Sequence, residues 1–330
     1  MGDDVHARRS GASRSLASAR SKIEEILHSI PDPSCVTSLP MNRSIIVSIG
    51  LACLSVSLTL SAATLGTAGT GPSFKGPIGL QLYSLRAEFT RNVPATVQKV
   101  KNMGFKNVEL AGTYNLSPDR FKAMLTDAGL TPISGHFPYE RYKTDPDGVA
   151  KEAKILGLQY AGCAWIPHQG DFDEAECRDA IATFNKAGEA LKKVGIKFFY
   201  HVHGYEFLPH GKGTLLDLLI QETKSDLVHY EMDILWIINP GHDPVAWMKK
   251  YPKRWELLHL KDLRKGVKGN MNGTADVTND VVLGTGQMNW PAILKTAKQI
   301  GIKYYFIEDE SPSAEQQVPQ SLKFLEGVSW

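Results

Sequence analysis

The stretch DEAECRDAIATFNKAGEALKKVGIKFFYHVH, residues 173–203, reads as one complete structural unit. Its first part has the apolar spacing of an amphipathic helix, and Gly195 suits the left-handed position that stops one. KFFYHVH (197–203) then reads as a β-strand. Working outward, the same rhythm recurs along the chain from Ile78. Strands are expected at IGLQLY (78–83), NVEL (107–110), PISGH (132–136) and YAGCAW (160–165) before it. LVHYEMD (227–233), ELLHL (256–260) and KYYFIE (303–308) follow it. Helical patterns such as VPATVQKVKNMG, PDRFKAMLTDAG and PDGVAKEAKILG lie between, and Gly104, Gly129, Gly157 and Gly301 are placed to end helices. Eight strand–helix units of about 25–35 residues predict a parallel sheet, and eight strands close a barrel. The alternative, a doubly wound open sheet, is disfavoured because no Gly-rich phosphate loop follows the first strand. The expected fold class is α/β, a single-domain (β/α)₈ barrel over residues 76–328.

Composition agrees with one large core. The 330 residues are 42% hydrophobic and 22% charged, with a formal net charge of +2. No basic stripe with interleaved aromatics is present, so nucleic acid is not an expected partner. Of the four cysteines, Cys35 and Cys53 precede the barrel, and no zinc-type spacing links Cys163 and Cys177 to histidines. The latter pair reads as two separate buried thiols.

Ahead of the barrel, residues 41–69 begin with Met41 and Arg43, run apolar from Ile45 to Leu60, and reach the small residues Ser61, Ala62 and Ala63. That order is a secretory signal, and its apolar run falls short of the ~20 residues a membrane span prefers. Export to the periplasm or medium is expected, with cleavage near Ala62–Ala68 and no membrane attachment afterwards. Residues 1–40, rich in Ser, Ala and Arg, read as an extension outside the true protein or a long signal tail.

In a barrel of this kind the chemistry sits at the C-terminal ends of the strands. Those ends carry Glu109, His136, His201, His203, Glu231, Asp233, His259, Lys261, Asp262 and Glu308. Singly, such residues are core hydrogen-bonders or helix caps. Converging on one rim, imidazoles and carboxylates suit one hard or borderline divalent ion: manganese, cobalt, magnesium or zinc. Strand alternation turns His201 with His203, and Glu231 with Asp233, to the same face.

Here the sequence resembles the xylose isomerase-like barrels identified as sugar phosphate isomerases/epimerases. The carriers are IGLQLYSLR (78–86), GFKNVELAG (104–112), YHVHGYEF (200–207), YEMDILWI (230–237), DPVAWMKKYPKRWELLHLKD (243–262) and LGTGQMNWPAILKTAKQIGIKYYFIEDE (283–310). The resemblance implies four metal ligands from strands 5 to 8, at His201, Asp233, His259 and Glu308. His201 departs from the family's usual glutamate, and His203 is its possible replacement. The resemblance also implies substrate contacts at His136, Glu206, Lys261 and Trp236, with Glu109 and His136 on the rim opposite the metal. Trp165 and Trp236 would wall a sugar ring.

The implied activity is a metal-dependent sugar isomerase or epimerase, abstracting a proton beside a carbonyl through an enediolate. Glu308 is the expected base, with His203 or Glu109 as its complement. The substrate is expected to be a free or oxidised (keto) sugar. The alternative enzyme reading is metal-assisted cleavage of a keto-sugar glycoside by β-elimination, which starts from the same C–H abstraction. Two remoter classes are a DNA-repair endonuclease and a non-catalytic sugar-binding module.

Overall fold

A computed structural model of the chain describes residues 68–330. The expectations for the 1–40 extension and for the signal segment, apart from Ala68 and Gly69, lie outside the described residues, as do Cys35 and Cys53.

Eight strands form a closed parallel barrel: β1 (Ile78–Gln81), β2 (Asn107–Leu110), β3 (Thr131–His136), β4 (Tyr160–Cys163), β5 (Lys197–His201), β6 (Val228–Asp233), β7 (Trp255–Leu260) and β8 (Tyr304–Ile307). Each pairs with its sequence neighbours, and β8 closes onto β1 through Ile78 opposite Tyr305. This is the expected (β/α)₈ architecture. The glycines expected to stop helices do so: Gly104, Gly129, Gly157, Gly195 and Gly301 all have positive φ, from 76° to 93°. The helix Glu174–Lys193 opens with a reciprocal cap, in which Asp173 accepts from the Glu176 N–H and Glu176 accepts from the Asp173 N–H. Cys163 and Cys177 are free, buried thiols. Among the described residues no helix is long and apolar enough to cross a membrane.

The barrel interior is filled in layers. Ile133, Tyr160, Phe199, Leu257 and Phe306 form an apolar plug separate from the larger core under the helices. Two glycines make room for it: a Cβ on Gly79 would lie 2.7 Å from the Phe306 ring, and one on Gly162 would lie 2.4 Å from Phe199. Directly above this plug the inward positions turn polar. His259 touches Phe306 edge-on and His136 lies over Phe199. The plug therefore closes the barrel beneath the polar layer of the site.

Two register shifts shape that polar layer. Between β6 and β7, Tyr230 is opposite Trp255 but Glu231 is opposite Leu257, which brings Asp233 level with His259. Between β2 and β3, Val108 is opposite Pro132 but Glu109 is opposite Ser134. Such irregularities re-aim side chains, and they recur beside active sites.

Candidate metal centre and its cavity

Four side chains from consecutive strands, or from the residue just past one, meet at the top of the barrel. His259 Nδ1 lies 3.2 Å from His201 Nε2, 3.2 Å from Glu308 Oε2 and 3.8 Å from Asp233 Oδ2. His201 Nε2 is 3.5 Å from Asp233 Oδ2. Donor atoms about 2.0–2.2 Å from one ion in a tetrahedron stand roughly 3.3–3.6 Å apart, so the spacing fits a divalent ion. The donor chemistry fits as well. Asp233 Oδ1 accepts from the N–H groups of Leu235 and Trp236, whereas its Oδ2 is buried with no hydrogen-bond partner. An orphaned buried carboxylate oxygen is costly unless something cationic faces it. Two neutral imidazoles and two carboxylates would leave a bound divalent ion near neutrality. His203 lies outside this set, and His201 is the residue placed to be its fourth donor.

A second cluster lies against the first and shares His259. Glu109, His136, Glu231 and His259 each offer a donor atom within 4.8 Å of the others. It differs in one respect. Glu109 Oε1 accepts from Gln81 Nε2 (2.7 Å) and from His259 Nε2 (2.6 Å), while Oε2 accepts from Ser134 Oγ (2.5 Å). A carboxylate so engaged has little left for a metal. Its bond to His259 Nε2 would instead hold a proton there and leave the Nδ1 lone pair for an ion at the outer centre. This corrects the expected place of Glu109. It is fully buried beneath the centre, not on an opposite rim, and it does not line the cavity.

Charges follow the geometry. Burial alone would raise Glu109, but the imidazoles of His136 and His259 hold it below the ordinary carboxylate range. Conversely, burial disfavours charge on His136, yet Glu109 and Glu231 raise it to about 9. Glu231 itself is raised to about 7 by burial and by the charge of Glu109. Glu308 is held well below its usual range, despite burial, by Lys261 and His259. His203 is pushed down to about 3 by burial and by its neighbours His201 and Lys261, which keeps it neutral.

Above the centre is a cavity of about 470 Å³ lined by His136, His201, His203, Lys261 and Glu308, and by Trp165 and Trp236. That size is within the range of small-molecule sites. His203 is stacked on Trp236 (ring centroids 4.3 Å apart) and meets Trp165 edge-on. Lys261 Nζ contacts Glu308 (3.4 Å) and Asp280 (3.7 Å) and pairs closely with Glu310. Glu206 is a second correction. Its carboxylate accepts from the N–H groups of His203 and Gly204 and from the Tyr200 hydroxyl, and it does not line the cavity. It fixes the loop that carries His203. Sequence reasoning missed Gln81, Ser134, Asp280 and Glu310, and gave Glu231 no role.

The chain matches the model of the xylose isomerase-like TIM barrel family over residues 97–328. It belongs to that family. Within the family, an inosose dehydratase of Clostridium beijerinckii (strain ATCC 51743 / NCIMB 8052) is 32% identical over 196 residues, covering 52% of this chain and 63% of the relative. One from Geobacillus kaustophilus (strain HTA426) is 28% identical over 193 residues, covering 52% and 62%. The chain thus matches less than two thirds of the length of these curated relatives. The crystal structure of a sugar phosphate isomerase/epimerase from Parabacteroides distasonis ATCC 8503 is 29% identical with a TM-score of 0.64, covering 81% of this chain and 96% of that one.

Proposed function

We propose that this family member is a divalent-metal-dependent lyase that acts on a keto-sugar or its glycoside by β-elimination. The observation that carries the reading is the convergence of His201, Asp233, His259 and Glu308 on one point under a sugar-sized cavity. The choice of elimination over isomerisation rests on the relatives named inosose dehydratases, a name that denotes removal of water.

A divalent ion held by the four donors would supply Lewis acidity toward a ketone oxygen, which acidifies the neighbouring C–H. The remaining roles fall to the chain's own side chains. His203, facing the cavity, accepts the proton from the carbon beside the carbonyl. The freed electron pair forms the carbon–carbon double bond as the bond from the β-carbon to its oxygen breaks. The imidazolium of His203 then returns the same proton to the departing oxygen. The products are an unsaturated ketone and water or an alcohol, with no net redox change. Lys261, whose ammonium is stabilised by Glu308, Asp280 and Glu310, counters the negative charge that develops on the carbonyl oxygen.

The test is incubation of metal-loaded protein with a keto-sugar glycoside in deuterated water, followed by NMR. Free aglycone and an unsaturated ketone are expected, and His203→Ala should slow their release about 10²–10⁴-fold. The second reading, isomerase or epimerase, is favoured by the Parabacteroides distasonis structure, which matches more of both chains. Isomerised or epimerised sugar with deuterium at the neighbouring carbon and an intact glycoside would establish that reading and overturn elimination.

A further inference from the structure

The cavity has chemistry at two levels. Its floor is polar and closed: His201 is 3% exposed and Glu308 8%. Its mouth is aromatic and open: Trp165 is 40% exposed and Tyr83 43%. Only four large hydrophobic side chains are exposed among the described residues, and two of them line this one cavity. Tyr83 follows β1 and Trp165 follows β4, so strand order sets them on different sides of the mouth. Trp165 is braced from behind. It stacks on His168 (4.8 Å between centroids, 25° between planes) and meets Tyr205 edge-on at 4.8 Å. His168 is in turn fixed by a contact from Nδ1 to the Ile166 carbonyl at 2.8 Å. Tyr83 carries the Arg86 guanidinium over its ring at 4.4 Å, and Arg86 is tied to the Glu310 carbonyl at 2.9 Å. Large apolar surface held rigid and in water is characteristic of binding sites. Ala164, Ala275 and Val277, all half-buried, add further apolar lining to the same cavity.

We propose that the mouth is a second subsite, which holds a ring outside the reacting keto-sugar. Its ligand is a flat-faced ring joined to that sugar: an aromatic aglycone or a second pyranose, stacked on Trp165 with Tyr83 across from it. The substrate class is then the keto-glycoside with a ring-bearing aglycone, in preference to a free keto-sugar. This rests on the lyase reading for what happens at the floor, while ring binding at the mouth is separable from it.

The experiment uses full-length, metal-loaded protein and three keto-glycosides that differ only in the aglycone: methyl, phenyl or glucosyl. Calorimetry measures binding, and NMR measures turnover of the same compounds. Wild-type protein should bind the phenyl or the glucosyl compound about tenfold more tightly than the methyl one, and the ring preferred identifies the source. That preference should disappear in Trp165→Ala and fall in Tyr83→Ala, while Trp165→Phe retains most of it. If Trp165→Ala fails to fold, Tyr83→Ala decides, because its ring is not packed against the metal centre. Equal binding of all three compounds by the wild type, or a preference unchanged in folded variants, would overturn the subsite. Ring-selective binding with no turnover would leave the subsite standing and remove the lyase reading.

Discussion

Replacing Glu109 with glutamine should weaken metal binding about tenfold without unfolding the protein. Glu109 touches no donor atom of the outer centre except through His259, whose Nε2 is 2.6 Å away. Glutamine keeps the volume. Its oxygen can face Gln81 and His259, and its NH₂ can face Ser134, whose hydroxyl can turn to accept. Shape and bond count survive, so only the charge is lost. A hydrogen bond to a charged acceptor is worth about 1.5–3 kcal/mol, against about 0.5–1.5 kcal/mol for a neutral one. The difference of about 1–1.5 kcal/mol corresponds to roughly tenfold in affinity. This is the lower end of the 10–100-fold that outer partners of metal-ligating histidines typically contribute. The assay is competition between metal-free protein and a chromophoric chelator, with circular dichroism to verify folding. An affinity within twofold of wild type in a folded Glu109→Gln protein would refute the reasoning. Glu109 would then be a buried ion-pair partner with no hold on the ligand.

Three other outcomes are expected. Wild-type protein should bind one divalent ion per chain, and Asp233→Asn should bind none, as measured by elemental analysis after dialysis, because the orphaned Oδ2 is what the ion satisfies. Glu206→Ala should lower stability by about 2–3 kcal/mol in urea titration, since the buried Gly204 N–H and the part-buried His203 N–H lose their acceptor and the Tyr200 hydroxyl keeps only Tyr205. Export with cleavage between about Ala62 and Thr70 remains our proposal for the N-terminus, and sequencing of exported protein from its first residue checks it.

The barrel was legible because its signals are local. A helix pattern, a glycine stop and a short apolar run each report on neighbours within a few residues, and the eightfold count then leaves little choice of topology. The convergence of the four candidate donors was legible for a related reason. Each is a polar residue at or just past the end of a strand where apolar residues would suffice, and the barrel's architecture alone brings such ends together. Glu109 exposes the limit of that logic. Alternation along β2 gives the face it takes, but its partner Ser134 is set by a register shift between β2 and β3. No pattern within either strand encodes that shift. Glu231 was seen at its strand end yet given no role, because its contacts with His136 and His259 depend on two other strands and a second shift.

Glu206 failed for the opposite reason. It belongs to the same loop as His203, and in sequence both read alike as polar residues beside a ligand. What separates them is the backbone between them. Gly204, with φ of 97°, turns the chain so that the N–H groups of residues 203 and 204 point at the Glu206 carboxylate. A carboxylate offered two such donors and a tyrosine hydroxyl is satisfied by them and turns away from the cavity. His203 has no comparable anchor for its ring, and it packs between Trp165 and Trp236 facing the open site. The loop thus assigns its two polar side chains to different tasks: one holds the turn, and the other faces the cavity. Position in the sequence marked the loop as functional, but only the direction of its N–H groups could divide those tasks.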